Sequence, residues 1–218
     1  MSESTAEVTH TLLAEAAKAA EAAGADGVGV GDVKRYLDAY YRHVPPEDLL
    51  PAGPLRAGAV AAEHARVAAR RPQGRALVQV RAAGECAALD ESRGVVDIVT
   101  DDMPFLVDSI TNELARDNLD SYHIVHPQLV VRRDVSGELR EVVGSPAGGS
   151  HGHDEIAESW MHIEIDTAGA DLTALQDDLR RVLADVRVAV EDYTKMQARA
   201  LRLATQLGAE GAGAPAET

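Results

Sequence analysis

The sequence predicts an α+β fold: a ferredoxin-like, four-stranded antiparallel sheet with two helices on one face, preceded by an N-terminal helical segment. Three observations carry this. From residue 94 the apolar pattern runs strand, helix, strand with a hairpin extension, strand, helix, which is one strand short of the βαββαβ unit. A short apolar run at 76–81 stands just ahead of the first strand, placed to fill the slot of the missing last one. Before residue 75 the chain reads as helical, rich in Ala and broken by Pro and Gly.

Taken in order, residues 5–23 form an Ala-rich helix with Leu12, Ala16 and Ala20 near one face, stopped by Gly24. The run GADGVGVGD (24–32) reads as a flexible break. Asp32 caps the next helix, in which Val33, Tyr36, Leu37, Tyr40 and Val44 repeat at helical spacing until Pro45 and Pro46. A turn at 47–50 and a third helix at 55–70 follow, the latter ended by Pro72 and Gly74. Strands are expected at 76–81 and 95–100. A helix then opens on Asp101, Asp102 and Pro104 and runs through Leu106, Ile110 and Leu114. Residues 121–133 read as one long strand, 134–137 as a turn and 138–143 as its returning arm. The small-residue loop 144–154 leads to a strand at 158–166 that alternates Trp160, His162 and Glu164 with Met161, Ile163 and Ile165. Leu175, Leu179, Val182, Leu183, Val186 and Val190 make the most continuous apolar stripe in the chain, on a helix at 171–192. A separate helix spans 195–207.

The 218 residues suit one domain or one small domain with appendages. The expected division is an N-terminal helix and break (1–31), a helical appendage (32–74), an α+β domain (75–193), a C-terminal helix (194–207) and a disordered tail (208–218). The net charge of −15 repels phosphate backbones, which argues against nucleic acid as a partner; Arg70, Arg71 and Arg75 read as a basic cluster flanking a helix end. The single cysteine, Cys86, excludes an intramolecular disulfide. No secretory signal is visible and no stretch approaches ~18 apolar residues, so the expected partner is not a membrane and the expected compartment is the cytoplasm.

The segment VTDDMPFLVDSITNELARDNLD (99–120) resembles the opening of an ACT domain, a strand followed by D-x-P-G-L-L at a helix start, with Phe105 where that family usually has Gly. A wider resemblance runs from about residue 36 to 203. YYRHVPPEDLL (40–50), VDIVTDDMPFLVDSITNEL (96–114), HIVHPQLVVRRD (123–134) and ESWMHIEID (158–166) are similar to the N-terminal, ACT-like region of the large bacterial NAD-specific glutamate dehydrogenases. The resemblance implies a regulatory or assembly module of an enzyme converting L-glutamate and NAD to 2-oxoglutarate, ammonia and NADH. It implies NAD as the cofactor of that parent enzyme, and other domains of the parent as partners.

The residues of this chain offer no catalytic set. No G-x-G-x-x-G follows a strand and there is no P-loop, so no cofactor site is expected here. His151 and His153 sit in a Gly/Ser loop and read as spacer rather than metal ligands, and His123 and His126, three apart in a strand, fall on opposite faces. His162 reads as a half-buried structural residue, and Cys86 has no base near it in sequence. The remaining candidate is the acidic loop Asp101, Asp102, Met103 and Pro104. As the resemblance implies, it would hold an amino-acid effector, with the carboxylate at the helix N-terminus and Asp102 on the ammonium. The alternative is that one Asp caps the helix and the other balances its dipole. Finally, a sheet with helices on one face leaves the other needing cover, so self-association through the sheet or its hairpin is expected.

Overall fold

The computed structural model describes residues 4–82, 84–85, 93–146, 152–167 and 169–211. Cys86, residues 147–151 of the 144–154 loop (His151 among them) and the end of the tail lie outside the described residues.

Three helices come first: α1 (Thr5–Ala22), α2 (Val33–Tyr40) and α3 (Pro46–Ala68). Ser4 and Glu7 form a capping box on α1, and the Asp32 side chain accepts the Arg35 N–H at the start of α2. α3 opens on Pro46 and bends at Gly53, whose φ of 73° interrupts the helix between Pro51 and Pro54. The stretch predicted as a flexible break is ordered instead. A 3-10 turn spans Ala25–Val28, Val30 is fully buried, and its carbonyl accepts the Val142 N–H. Gly29 serves close approach rather than mobility, because a Cβ there would lie 1.9 Å from the Leu139 carbonyl oxygen.

The sheet is built from β1 (Leu77–Arg81), β2 (Gly94–Asp101), β3 (Ser121–Val125), β4 (Gln128–Arg133), β5 (Leu139–Gly144) and β6 (Glu155–Ile165). All pairings are antiparallel, in the order β1-β2-β6-β4-β5, with β3 also on β6. The predicted edge pairing is present: Leu77 lies opposite Val99 and Arg81 opposite Val95. The sheet has six strands, not the four expected, for two reasons. Residues 121–133 are interrupted at His126 and Pro127, since Pro127 has no N–H to continue the ladder and its carbonyl takes the Trp160 N–H. The returning arm also joins the sheet, as β5 paired to β4. The central strand is β6, with β2 on one side and β3 followed by β4 on the other.

The two faces of β6 are both buried. Met161, Ile163 and Ile165 join Val96 and Ile98 against α4 (Leu106–Arg116) and α5 (Leu172–Gly211). In α5 the stripe buries Leu175, Leu179, Leu183 and Val186, with Val182 and Val190 only partly covered. Trp160, Val99, Val125, Val131 and Val142 face the N-terminal helices instead. The face expected to lie open is therefore covered by the chain's own α2 and α3. Aromatic side chains make this cover: Tyr36 and Tyr40 are buried, and the Tyr36 ring sits 5.9 Å from that of Trp160. The Ala-rich α1 packs outside them on α3, so closely that a Cβ on Gly58 would lie 2.3 Å from the Ala16 carbonyl oxygen.

The helices predicted at 171–192 and 195–207 are one 40-residue helix, α5, because no Gly or Pro stands between them. Its far half projects past the sheet with Tyr193, Met196, Leu201 and Leu203 exposed. Among the described residues, no helix is long and apolar enough to cross a membrane.

Leu179, fully buried between α5 and the sheet, tests this packing. Leu179→Ala should lower the unfolding free energy by about 2–5 kcal/mol in urea titrations followed by Trp160 fluorescence.

Candidate functional site

The acidic loop lies where β2 ends and α4 begins. The structure brings Asp101, Asp102, Met103 and Pro104 into one short turn but sends their side chains to different partners. Asp101 accepts from Arg71 at 2.6 Å and from Arg187 of α5 at 2.6 Å. Asp102 accepts from the Ser159 hydroxyl at 2.6 Å and from the Gln128 amide at 3.2 Å, while its N–H donates to the Ala157 carbonyl. Met103 is half-buried against the α4–α5 core and Pro104 is exposed. Neither Asp caps the helix: α4 starts at Leu106, and its N-cap is Phe105 with no side-chain bond. The capping alternative fails because arginines and a serine from distant segments reach these carboxylates first. Phe105 has φ 71°, in the left-handed region, and its ring is two-thirds exposed.

Behind the loop lies a buried ionic cluster that sequence reasoning missed. Glu158 of β6 is fully buried. Its carboxylate accepts from Arg71 at 2.8 Å, from Arg133 at 2.7 and 2.9 Å, and from the Trp160 indole at 2.9 Å. Arg71 also donates to the Arg75 carbonyl, and Arg133 to the carbonyls of Ala68 and Gly137. Arg71 flanks the end of α3, as expected, and is fully buried there. Burial pushes the Asp101 carboxyl up, but the Arg187 and Arg71 guanidiniums outweigh it and hold it below the usual carboxylate range. The one sequence cue was Glu158 on the same strand face as Trp160, His162 and Glu164, a face mixing charge with a large aromatic.

A second buried network crosses the middle of the same face. His162 Nδ1 lies 2.7 Å from Asp97, which also pairs with Arg81, and Arg81 reaches Glu63 of α3 at 2.7 Å. His64 of α3 donates through Nε2 to the Ile98 carbonyl at 3.2 Å and accepts the Tyr40 hydroxyl at Nδ1, 2.8 Å away. Both ring nitrogens are thus satisfied in the neutral form. Burial pushes His64 down to about 4, against the partial opposition of Asp97. Burial raises Asp97, but His162, His64 and Arg81 together hold it well below its ordinary value.

The other candidates are scattered. His123 lies beside Glu164 on the face covered by α3, while His126 lines a different cavity with Tyr40 and His43. His153 is exposed. Among the described residues, no group of three or more His, Cys, Asp or Glu could hold a metal ion.

Residues 36–179 match the family model described as glutamate dehydrogenase, ACT1 domain. Over 124 residues, 56% of the chain, the sequence is 40% identical to the NAD-specific glutamate dehydrogenase of Pseudomonas aeruginosa, of which the match covers 8%. Over 107 residues, 48% of the chain, it is 35% identical to the NAD-specific glutamate dehydrogenase of Halomonas elongata, covering 6% of that protein. The chain therefore spans less than a tenth of the length of these relatives. No solved structure matches.

Two outcomes follow from the networks. Arg71→Ala leaves Glu158 buried and short of a partner, and should cost about 3–5 kcal/mol of stability in urea unfolding. His64 is neutral in the fold down to about pH 4 but titrates near 6.5 when unfolded, so between these values the unfolded chain binds the extra proton. Stability should hold above pH 6.5 and fall by about 3 kcal/mol on acidification towards pH 4. His123 and His126, also lowered by burial, add to the same slope. His64→Gln should flatten the slope in unfolding curves recorded across this range.

Proposed function

Because the chain belongs to the glutamate dehydrogenase ACT1-domain family, we propose that it is the ACT-like regulatory and assembly module of an NAD-specific glutamate dehydrogenase. The parent enzyme would oxidise L-glutamate with NAD to 2-oxoglutarate, ammonia and NADH, in the cytoplasm. NAD belongs to the parent's catalytic core and the chemistry takes place there. This module contributes contacts. One observation carries the reading: the buried charges nearest the acidic loop are engaged in holding strands and helices together, while large apolar side chains stand exposed on the projecting half of α5. Such a surface suits docking on other domains of the parent, or on a second copy when they are absent.

A second reading, an amino-acid effector site at Asp101, Asp102, Met103 and Pro104, has an observation of its own in its favour. Phe105 adopts the left-handed conformation at the position where the ACT pattern has Gly. An L-residue there costs roughly 1–2 kcal/mol, and strain of this kind gathers at ligand-binding turns.

Two measurements on the purified chain test the module reading. Incubation with L-glutamate and NAD should give no NADH above background, and turnover surviving repurification would overturn it. Light scattering at micromolar concentration should show more than a monomer, reverting to monomer in Met196→Gln/Leu201→Gln; a strictly monomeric parent chain would remove the assembly role.

A further inference from the structure

We infer that a basic cleft at the outer edge of β1 binds a small phosphate-bearing anion. β1 is the last strand on its side of the sheet, with Leu77 packed towards α3 and Val78 towards α5. The two helices flank the free edge of the strand and enclose a cleft of about 430 Å³, a size that suits a small molecule. Its polar walls are Arg66 and Arg70 from the end of α3, Gln79 from β1, and Gln176 and Arg180 from α5. The acidic loop follows β2, on the inner side of β1, so the cleft is a separate place on the molecule.

Three observations point to such a ligand. First, among the described residues no carboxylate lines the cleft, in a chain where Asp and Glu outnumber Lys and Arg by 36 to 21. Elsewhere the arginines against the sheet are answered: Arg71 and Arg133 by Glu158, Arg81 by Asp97, Arg132 by Glu141. Here three guanidiniums from two helices meet. Two neighbouring acids do not balance them: Asp177 stands outside the wall in an exposed pair with Arg180, and Glu138, whose backbone bridges to Arg70, gives its carboxylate to Arg140. Second, the donors are not spent within the fold. Arg70 is exposed, and among the described residues its side chain makes no hydrogen bond or ion pair. The end of α3 does not need it as a cap, because the Ala68 carbonyl accepts from Arg133 and the Ala69 carbonyl from the Leu139 N–H. Arg66 gives one N–H to the Ala23 carbonyl, and Arg180 gives one to Asp177 and a longer one, of 3.3 Å, to the Val78 carbonyl, which leaves N–H groups on both. Ala69 keeps helical dihedrals, so Arg66 and Arg70 stand four apart as like charges on one face, an arrangement that an anion relieves. Third, the strand edge is closed to a peptide. The Val80 N–H donates to Gln176 Oε1 at 3.2 Å and the Val78 carbonyl takes Arg180, so a further strand would have to displace both. A compact anion meets no such obstacle. A phosphoryl group is close to doubly charged at neutral pH and carries three acceptor oxygens, so it can take N–H groups from both helices at once, where a lone carboxylate matches one guanidinium. No aromatic side chain lines the cleft among the described residues, so charge and not stacking carries the recognition.

Calorimetric titration of the whole chain with pyrophosphate, inorganic phosphate and acetate, at constant ionic strength, tests the site. Pyrophosphate should bind most tightly, phosphate more weakly, and acetate not at all over the same range. Arg70→Gln and Arg180→Gln should each weaken pyrophosphate about tenfold. Arg70→Gln should do so with the thermal midpoint of the free protein unchanged, since its side chain makes no bond in the fold. Arg199→Gln, which removes an exposed charge from the projecting half of α5, should leave binding as it was. Absence of pyrophosphate binding at millimolar concentration overturns the site. A loss in Arg199→Gln equal to that in Arg70→Gln marks a response to net charge and overturns the cleft, as does binding kept in both Arg70→Gln and Arg180→Gln. Acetate binding as tightly as phosphate overturns the phosphate assignment. A chain that is monomeric in light scattering and still binds pyrophosphate keeps the cleft while losing the assembly role, so the two fail separately.

Discussion

The buried carboxylate of Glu158 is the constraint on which the architecture turns. Moving an ion of this kind out of water costs several kcal/mol, and the fold meets that cost only by bringing every donor to it. Arg71 comes from the segment after α3, Arg133 from β4 and the Trp160 indole from β6 itself. Arg71 then extends the cluster through Asp101 to Arg187 on α5. One anion thus fixes the end of the N-terminal helices, three strands and the long helix in a single arrangement. Apolar packing alone tolerates repacking, whereas a charge with several directed bonds tolerates one geometry.

The same constraint explains how the second sheet face is closed. The residues after α3 run alongside β5, with Arg71 N–H on the Gly137 carbonyl and Leu139 N–H on that of Ala69. A Cβ at Gly137 would lie 2.3 Å from the Arg71 carbonyl oxygen, so the turn needs glycine to let Arg71 in. With that end anchored, α3 lies across the sheet and α2 presents Tyr36 to Trp160 and Tyr40 to His64. The tyrosine hydroxyls stay in the dry layer because each has a partner: Tyr36 on the Ala61 carbonyl and Tyr40 on His64.

What the sequence disclosed, and what it hid, follows from the range of the interactions. The alternation of Trp160, His162 and Glu164 against Met161, Ile163 and Ile165, and the stripe from Leu175 to Val186, are periodic and local, so both were legible. The edge pairing of 77–81 with 95–99 was legible from topology, because an antiparallel neighbour was missing and only one segment could supply it. Pro127 was visible, but its role depended on Trp160, 33 residues away, taking its carbonyl. The glycine at 29 signalled loop chemistry, and only the position of β5 shows that it admits backbone contact. Of the site, the acidic turn was visible and its partners were not: Arg71, Arg187 and Ser159 are remote in sequence, and nothing local marks Arg71 as buried while Arg70 stays outside.

The N-terminal helices are consequently part of the domain and not an attachment to it. Along the face of β2 and β6 that they cover lie Asp97, Asp101, Glu158, His162 and Glu164, a row of polar side chains that an apolar cover would strand. The answering groups come from α3 and the segment just beyond it: Arg56 for Glu164, His64 beside His162, and Arg71 for Glu158 and Asp101. Neither half is physically reasonable without the other. A βαββαβ-like sheet alone would carry unpaired buried charges, and the helices alone would expose arginines and tyrosines with nothing to bind. The family match begins at Tyr36, inside α2, and so includes the whole of α3 together with the sheet. The unit shared with the dehydrogenases is therefore the sheet with its charged cover, and α1, packed only on other helices, lies outside it.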